Sequence, residues 1–122
     1  MAINSYKDLV AWQKGIELVT FTYKLLQQFP DKEKYGLMSQ ISRAATSVPA
    51  NIAEGWGRDS DANFIHYLKI SKGSLFELET HLIISNNLTF INETELSEAQ
   101  EKINELGKII QGLIKSIQQP KR

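Results

Sequence analysis

Residues 92–118 read NETELSEAQEKINELGKIIQGLIKSIQ, and this stretch decides the fold. Leu96, Ala99, Ile103, Leu106, Ile110, Leu113 and Ile117 follow one another at steps of three or four, which stacks all seven on one side of an α-helix. Asn92 stands three residues before Glu95, the spacing of a capping box in which each side chain closes the other's backbone N–H. A strand would need apolar residues at every second position, and no segment of the chain shows that period.

Three more helical patterns lie upstream. Phe64, Tyr67 or Leu68, Ser71, Leu75, Leu78 and Leu82 form one face, opened by the capping residues Asp59-Ser60-Asp61 and closed by the turn-rich Asn86-Asn87-Leu88-Thr89-Phe90-Ile91. The Ser71-Lys72-Gly73-Ser74 stretch in its middle predicts close approach by a neighbour. Leu37, Ile41, Ala44, Ala45, Val48, Ile52 and Trp56 make the preceding face, with Gly57 expected in a left-handed terminal conformation. Pro49 interrupts it, so a kink is expected there or a break with Ser47 capping the restart. Leu9, Trp12, Ile16, Val19, Tyr23 and Leu26 form the first face, with Ser5 and Asp8 as a capping pair at its start and Phe29-Pro30-Asp31 as its stop. Leu18, Phe21, Leu25 and Phe29 add a second stripe to that helix, which is either a broad core contact or a subunit interface.

Four apolar stripes joined by short connections predict an all-α, antiparallel up-down-up-down four-helix bundle spanning 1–122 as one domain, with helices at roughly 6–28, 33–57, 60–86 and 93–118 and a frayed tail from Gln118 to Arg122. At 122 residues such a domain buries enough surface to fold without disulfides or metal. Zero Cys removes thiolate catalysis and Cys-ligated zinc. Fourteen Lys plus Arg balance fourteen Asp plus Glu, so binding to nucleic acid or anionic lipid would need a local patch. Apolar runs fall far short of the ~20 residues that span a membrane, and Met1–Asp8 carries no signal-peptide core. A cytoplasmic protein with no membrane partner is the expectation.

No motif supplies chemistry. Di-iron bundles need two Glu-x-x-His motifs, whereas His66 and His81 are the only histidines and Leu82 sits three after Glu79. Glu77 and His81 are spaced as a surface contact or a satisfied histidine. Gly55-Trp56-Gly57-Arg58-Asp59-Ser60 lacks the last glycine of a phosphate-binding loop and follows a helix instead of a strand. Nothing gathers Ser, His and Asp into a triad. Neither catalysis nor a cofactor is expected.

The feature left over is a polar stripe, Gln40, Arg43, Ser47, Asn51, Glu54 and Arg58, at helical spacing. It reads as a solvated face or as a contact surface, in which Arg43 and Glu54 meet charges of another subunit and Asn51 bonds backbone freed by Pro49. Arg58 with Lys69, Lys72 and Trp56 forms a candidate nucleic-acid patch, opposed by Glu54, Asp59 and Asp61.

Tyr6-x-Asp8-Leu9-x-Ala11-Trp12-Gln13, Phe29-Pro30-x-x-Glu33-x-Tyr35-Gly36-Leu37, Gln40-Ile41-x-Arg43-Ala44-Ala45-x-Ser47-Val48-x-Ala50-Asn51-Ile52-Ala53-Glu54-Gly55 and Gly73-Ser74-Leu75-x-Glu77-Leu78 together resemble the four-helix bundle proteins encoded in bacterial 23S rRNA intervening sequences. The resemblance covers almost the whole chain, the fourth helix by pattern more than by motif. It implies a subunit of a homo-oligomer, commonly a pentameric ring, with no established catalytic activity. The accessory proteins of diversity-generating retroelements are similar bundles, which brings RNA or a nucleic-acid-processing protein into view as a partner. Arg43, Ser47, Asn51, Glu54, Gly55, Gly73, Ser74 and Glu77 carry over, and the resemblance implies for them a structural role in helix or subunit contacts.

Overall fold

Side-chain caps set where two of the helices begin. Ser60 Oγ accepts from the Asn63 amide at 3.1 Å and starts one helix. Asn92 and Glu95 form the complete capping box of another, the Asn92 side chain accepting from Glu95 N at 2.8 Å and the Glu95 carboxylate from Asn92 N at 2.9 Å. The computed structural model describes residues 3–120, and among these it contains α1 (Val10–Leu26), α2 (Leu37–Trp56), α3 (Asp61–Asn87) and α4 (Glu93–Gln118) with no strand. Met1, Ala2, Lys121 and Arg122, the ends of the leader and of the expected frayed tail, lie outside the described residues.

Two helices start later than the expected positions 6 and 33. Ser5 caps a 3-10 turn, Tyr6–Asp8, and Leu9 is extended before α1 begins at Val10. A second 3-10 turn, Asp31–Glu33, precedes α2, and the Glu33 carboxylate accepts the Leu37 amide at 3.3 Å. Gly57 is right-handed, with φ −77°. The left-handed residue is instead Thr89, φ 66°, at the end of α3. There Phe90 N reaches Ser85 O and Thr89 N reaches Asn86 O, both at 2.9 Å. That double closure is a Schellman motif, which holds threonine in a conformation costing roughly 1–2 kcal/mol.

Contacts between neighbours fix the direction of each helix. Pro49 packs on Gly15, Ser47 meets Ser74, and Ser71 donates to the Val48 carbonyl at 2.8 Å. Glu79 meets Gln100 while Lys72 meets Gln111. Lys14 meets Glu105 and Gln28 meets Glu95. For α2 with α3, α3 with α4 and α1 with α4 the number rises on one side as it falls on the other, so these pairs run antiparallel, and α1 therefore runs opposite to α2 as well. α2 with α3, α1 with α2, α3 with α4 and α1 with α4 are the touching helix pairs. The result is the up-down-up-down bundle.

Ile41, Ala44, Ala45, Val48 and Ile52 of α2, Leu68, Leu75, Leu78 and Leu82 of α3, and Ala99, Ile103, Leu106 and Ile110 of α4 meet in the core. On α1 the seam differs from the first apolar stripe. Ala11, Gly15, Leu18, Thr22 and Leu25 are buried, whereas Ile16 and Tyr23 stay 41% and 48% exposed. The second stripe is therefore core, with Leu18, Leu25 and Phe29 buried. The reason is local: α2 runs unbroken through Pro49, and the ring needs a neighbour without a side chain. A Cβ on Gly15 would lie 3.1 Å from Pro49 Cβ, so the smallest residues of α1, not the largest, set its buried face. Asn51 does not serve the carbonyl that Pro49 leaves free, that of Ala45; its amide bonds Ser47 O at 2.8 Å. Phe29 against Phe90 seals one end of the bundle, and Trp56 against Phe64 the other.

Gly55 is the tightest point, since an added Cβ would stand 2.7 Å from Tyr67 Cβ and 3.3 Å from the Phe64 carbonyl. Gly55→Ala should lower stability by about 1–3 kcal/mol despite the better helix propensity. Gly112→Ala, with nothing within 4 Å of the added atom, should raise it by about 0.5–1 kcal/mol, both read by urea unfolding.

Glu95 also accepts from Gln28 Nε2, in the turn after α1, at 2.8 Å. That bond first, and the Asn92 amide second, hold its carboxyl below the ordinary value of 4.5, against a small opposing effect of burial. A lowered folded pKa means stability present above the ordinary value and lost as pH falls through the folded one. Acidification from about pH 5 to about pH 3 should therefore destabilise the native chain more than Glu95→Gln, measured by thermal unfolding across that range.

Candidate functional site

The polar stripe of α2 lies beside α3, and part of it is structural. Ser74 Oγ donates to the Ile70 carbonyl at 3.2 Å, which spends its only hydrogen. Ser47 must then be the donor in its 2.7 Å bond to Ser74. Asn51 Nδ2 in turn donates to Ser47 Oγ at 2.9 Å. The chain Asn51 to Ser47 to Ser74 to Ile70 O thus runs one way across the seam and ties α2 to α3.

The remaining contact candidates face outward. Gln40, Arg43, Glu54, Gly73 and Glu77 are exposed. The Ser47–Ser74 register places Arg43 of α2 level with Glu77 of α3, yet no ion pair joins these opposite charges. A Cβ added to Gly73 would meet nothing within 4 Å, so the close approach expected there is made instead by Ser71 and Ser74. Ile70 and Ile84 sit seven residues before and after Glu77 on the same face, and they are 39% and 41% exposed. The sequence carries that 70–77–84 repeat, but the stronger core stripe of the same helix hides it.

The four candidate nucleic-acid residues do not converge. Arg58 bonds the Tyr67 hydroxyl at 2.9 Å, lies 5.1 Å from the centre of that ring and pairs with Glu54 at 2.7 Å. Its charge is balanced on the α2/α3 seam. Trp56 is half-buried, edge-on to Phe64 at 6.1 Å. Lys72 points the other way and donates to Gln111 of α4 at 2.6 Å. Lys69 is exposed one turn away from it. Tyr67, which takes up Arg58, had no signal in the sequence beyond its place on the helix.

Among the described residues, no group of three or more His, Asp or Glu side chains could hold a metal ion. Glu77 does not satisfy His81, whose Nδ1 is buried with no hydrogen-bond partner. Among the same residues, no helix is long and apolar enough to cross a membrane.

Residues 7–112 match the model of a protein family described as 23S rRNA-intervening sequence protein. A solved structure from Bacteroides thetaiotaomicron, described as a protein with unknown function from the S23 ribosomal protein family, is similar over 87% of this chain and 99% of its own. The two share 27% identity with a TM-score of 0.77. No curated protein matches.

Loss of the Ser47 hydroxyl would remove the bond from α2 to Ser74 and one of the two bonds of the Asn51 amide. Ser47→Ala should cost about 1–2 kcal/mol in urea unfolding, more than Thr46→Ala, whose hydroxyl bonds only its own helix.

Proposed function

Because the chain belongs to the 23S rRNA-intervening sequence protein family, of which the solved relative is described as having unknown function, we propose that it is a non-catalytic subunit of a homo-oligomer. It acts in the cytoplasm as a scaffold or binding module, and the resemblance to bundles that form rings favours a pentamer. One observation carries this reading: α3 is apolar on both sides. Its core face holds Leu68, Leu75, Leu78 and Leu82, while Ile70 and Ile84, on the face of Glu77, look out to solvent in the single chain. Apolar residues left exposed on a helix that already has a buried core face mark a contact surface. Gly73 supports the same reading, since a glycine inside a helix costs roughly 1 kcal/mol and nothing in its own chain requires it. Arg43 and Glu77, unpaired across the α2/α3 seam, supply charges for a neighbouring copy. Closed rings form when one surface meets a different surface of the next copy.

The test is mass in solution by light scattering on the native chain, Arg43→Glu and Gly73→Leu. The native chain should run as a ring-sized species. Gly73→Leu should keep or raise the stability of the bundle, because its site is open within the chain, while lowering the mass. Arg43→Glu should lower the mass as well. A native monomer, or a mass untouched by both substitutions, overturns the reading.

A further inference from the structure

The antiparallel register of α3 and α4 builds a basic groove from residues far apart in the sequence. Lys72, Leu75 and Phe76 of α3 and Ile103, Asn104, Gly107, Lys108 and Gln111 of α4 line a cleft of about 340 Å³. The floor is apolar. Lys72 meets Gln111 across it, so Lys69 and Lys115, each one turn further along, stand opposite one another at its end. Gly107 keeps the cleft open, since it has no side chain and Leu75 Cδ1 lies 3.8 Å from where a Cβ would be.

The charged residues that line the cleft are both lysines, Lys72 and Lys108, and the carboxylate of Glu79, one turn beyond Phe76 on the same seam, is taken up by the Gln100 amide. From Lys69 to Phe76 α3 carries no carboxylate, and from Asn104 to Lys115 α4 carries only Glu105, which pairs with Lys14 of α1 at 3.6 Å. Among the described residues, none of the four lysines forms an ion pair. Four like charges around one cleft repel each other until an anion of matching extent lies between them. At the far end Phe76 is 62% exposed, leaving an aromatic face open beside the cations.

We propose that the α3/α4 groove, through Lys69, Lys72, Lys108 and Lys115 with Phe76, binds single-stranded nucleic acid. The lysines neutralise successive phosphates, and Phe76 offers a stacking surface for a base, the combination by which single strands are held without reading their sequence. The arrangement is separate from the Arg58–Glu54–Tyr67 cluster, where the guanidinium is already paired. It is also separate from assembly, because each subunit carries the whole groove.

The experiment is an anisotropy titration of the full chain against a fluorescein-labelled oligouridylate of about 12 nucleotides, at about 50 and about 200 mM salt. Four phosphate contacts predict a log–log salt slope near about −2.8, and Lys72→Gln with Lys108→Gln should reduce its magnitude by about 1.4. Phe76→Ala should weaken binding about fivefold or more, the low end of losing one stacked base. A Lys24→Gln, Lys34→Gln control on other surfaces should leave binding unchanged. No saturable binding at low salt overturns the proposal, as does undiminished binding by the variant with all four groove lysines changed to Gln. A synthetic peptide of alternating helical Leu and Glu positions serves as the competing probe. If it binds and the oligonucleotide does not, the groove belongs to a protein partner and the proposal fails. Light scattering on the same samples reads assembly independently, so either idea can fail alone.

Discussion

The near contact of α2 with α3 is the constraint on which the other features depend. Gly55 lies where a Cβ would stand 2.7 Å from Tyr67, and the Ser71 hydroxyl reaches the Val48 carbonyl itself. Helices that approach this closely can place only small or polar groups between them. Serines therefore occupy positions 47, 71 and 74 on this seam, and their hydroxyls are satisfied by each other or by backbone carbonyls. Beyond Phe64 and Tyr67, which pack beside Gly55, the bulky residues of α3 have two destinations. Leu68, Leu75, Leu78 and Leu82 fill the core, and Ile70, Phe76, Ile83 and Ile84 go outside. An outward apolar face on α3 is thus a consequence of how its inner side is packed.

The same logic governs α1. Pro49 survives inside α2 because its ring lies in a notch left by Gly15, and the helix continues past it to Trp56. Packing against the notch rotates α1 so that Ala11, Gly15 and Leu18 turn inward, and Ile16 and Tyr23 turn out. A substitution tolerated by helix propensity alone would still be felt here, because the volume between the two helices is already filled.

Charge is arranged by the same register. A chain with fourteen cations and fourteen anions has no net field, yet its charges are not evenly mixed. Arg58 is drawn to Glu54 and Tyr67 on one seam, while Lys72 and Lys108 line a cleft on another whose lining holds no carboxylate. Net charge describes solubility and long-range attraction; a groove a few side chains wide responds to what lines it.

The sequence by itself determined four helices, their order, most of the core on α2, α3 and α4, and the Asn92–Glu95 cap, because each rests on residues within a few positions of one another. It also placed Ser47 and Asn51 on one polar stripe of α2. Only the tertiary structure decided which stripe of α1 is buried, that Pro49 leaves α2 intact, and that Thr89 rather than Gly57 takes the left-handed turn. It alone parted Arg58 from Lys72 and set Lys72 beside Gln111. These outcomes depend on which residue of one helix stands opposite which residue of another, and helical periodicity, being a property of one helix at a time, holds no record of that register.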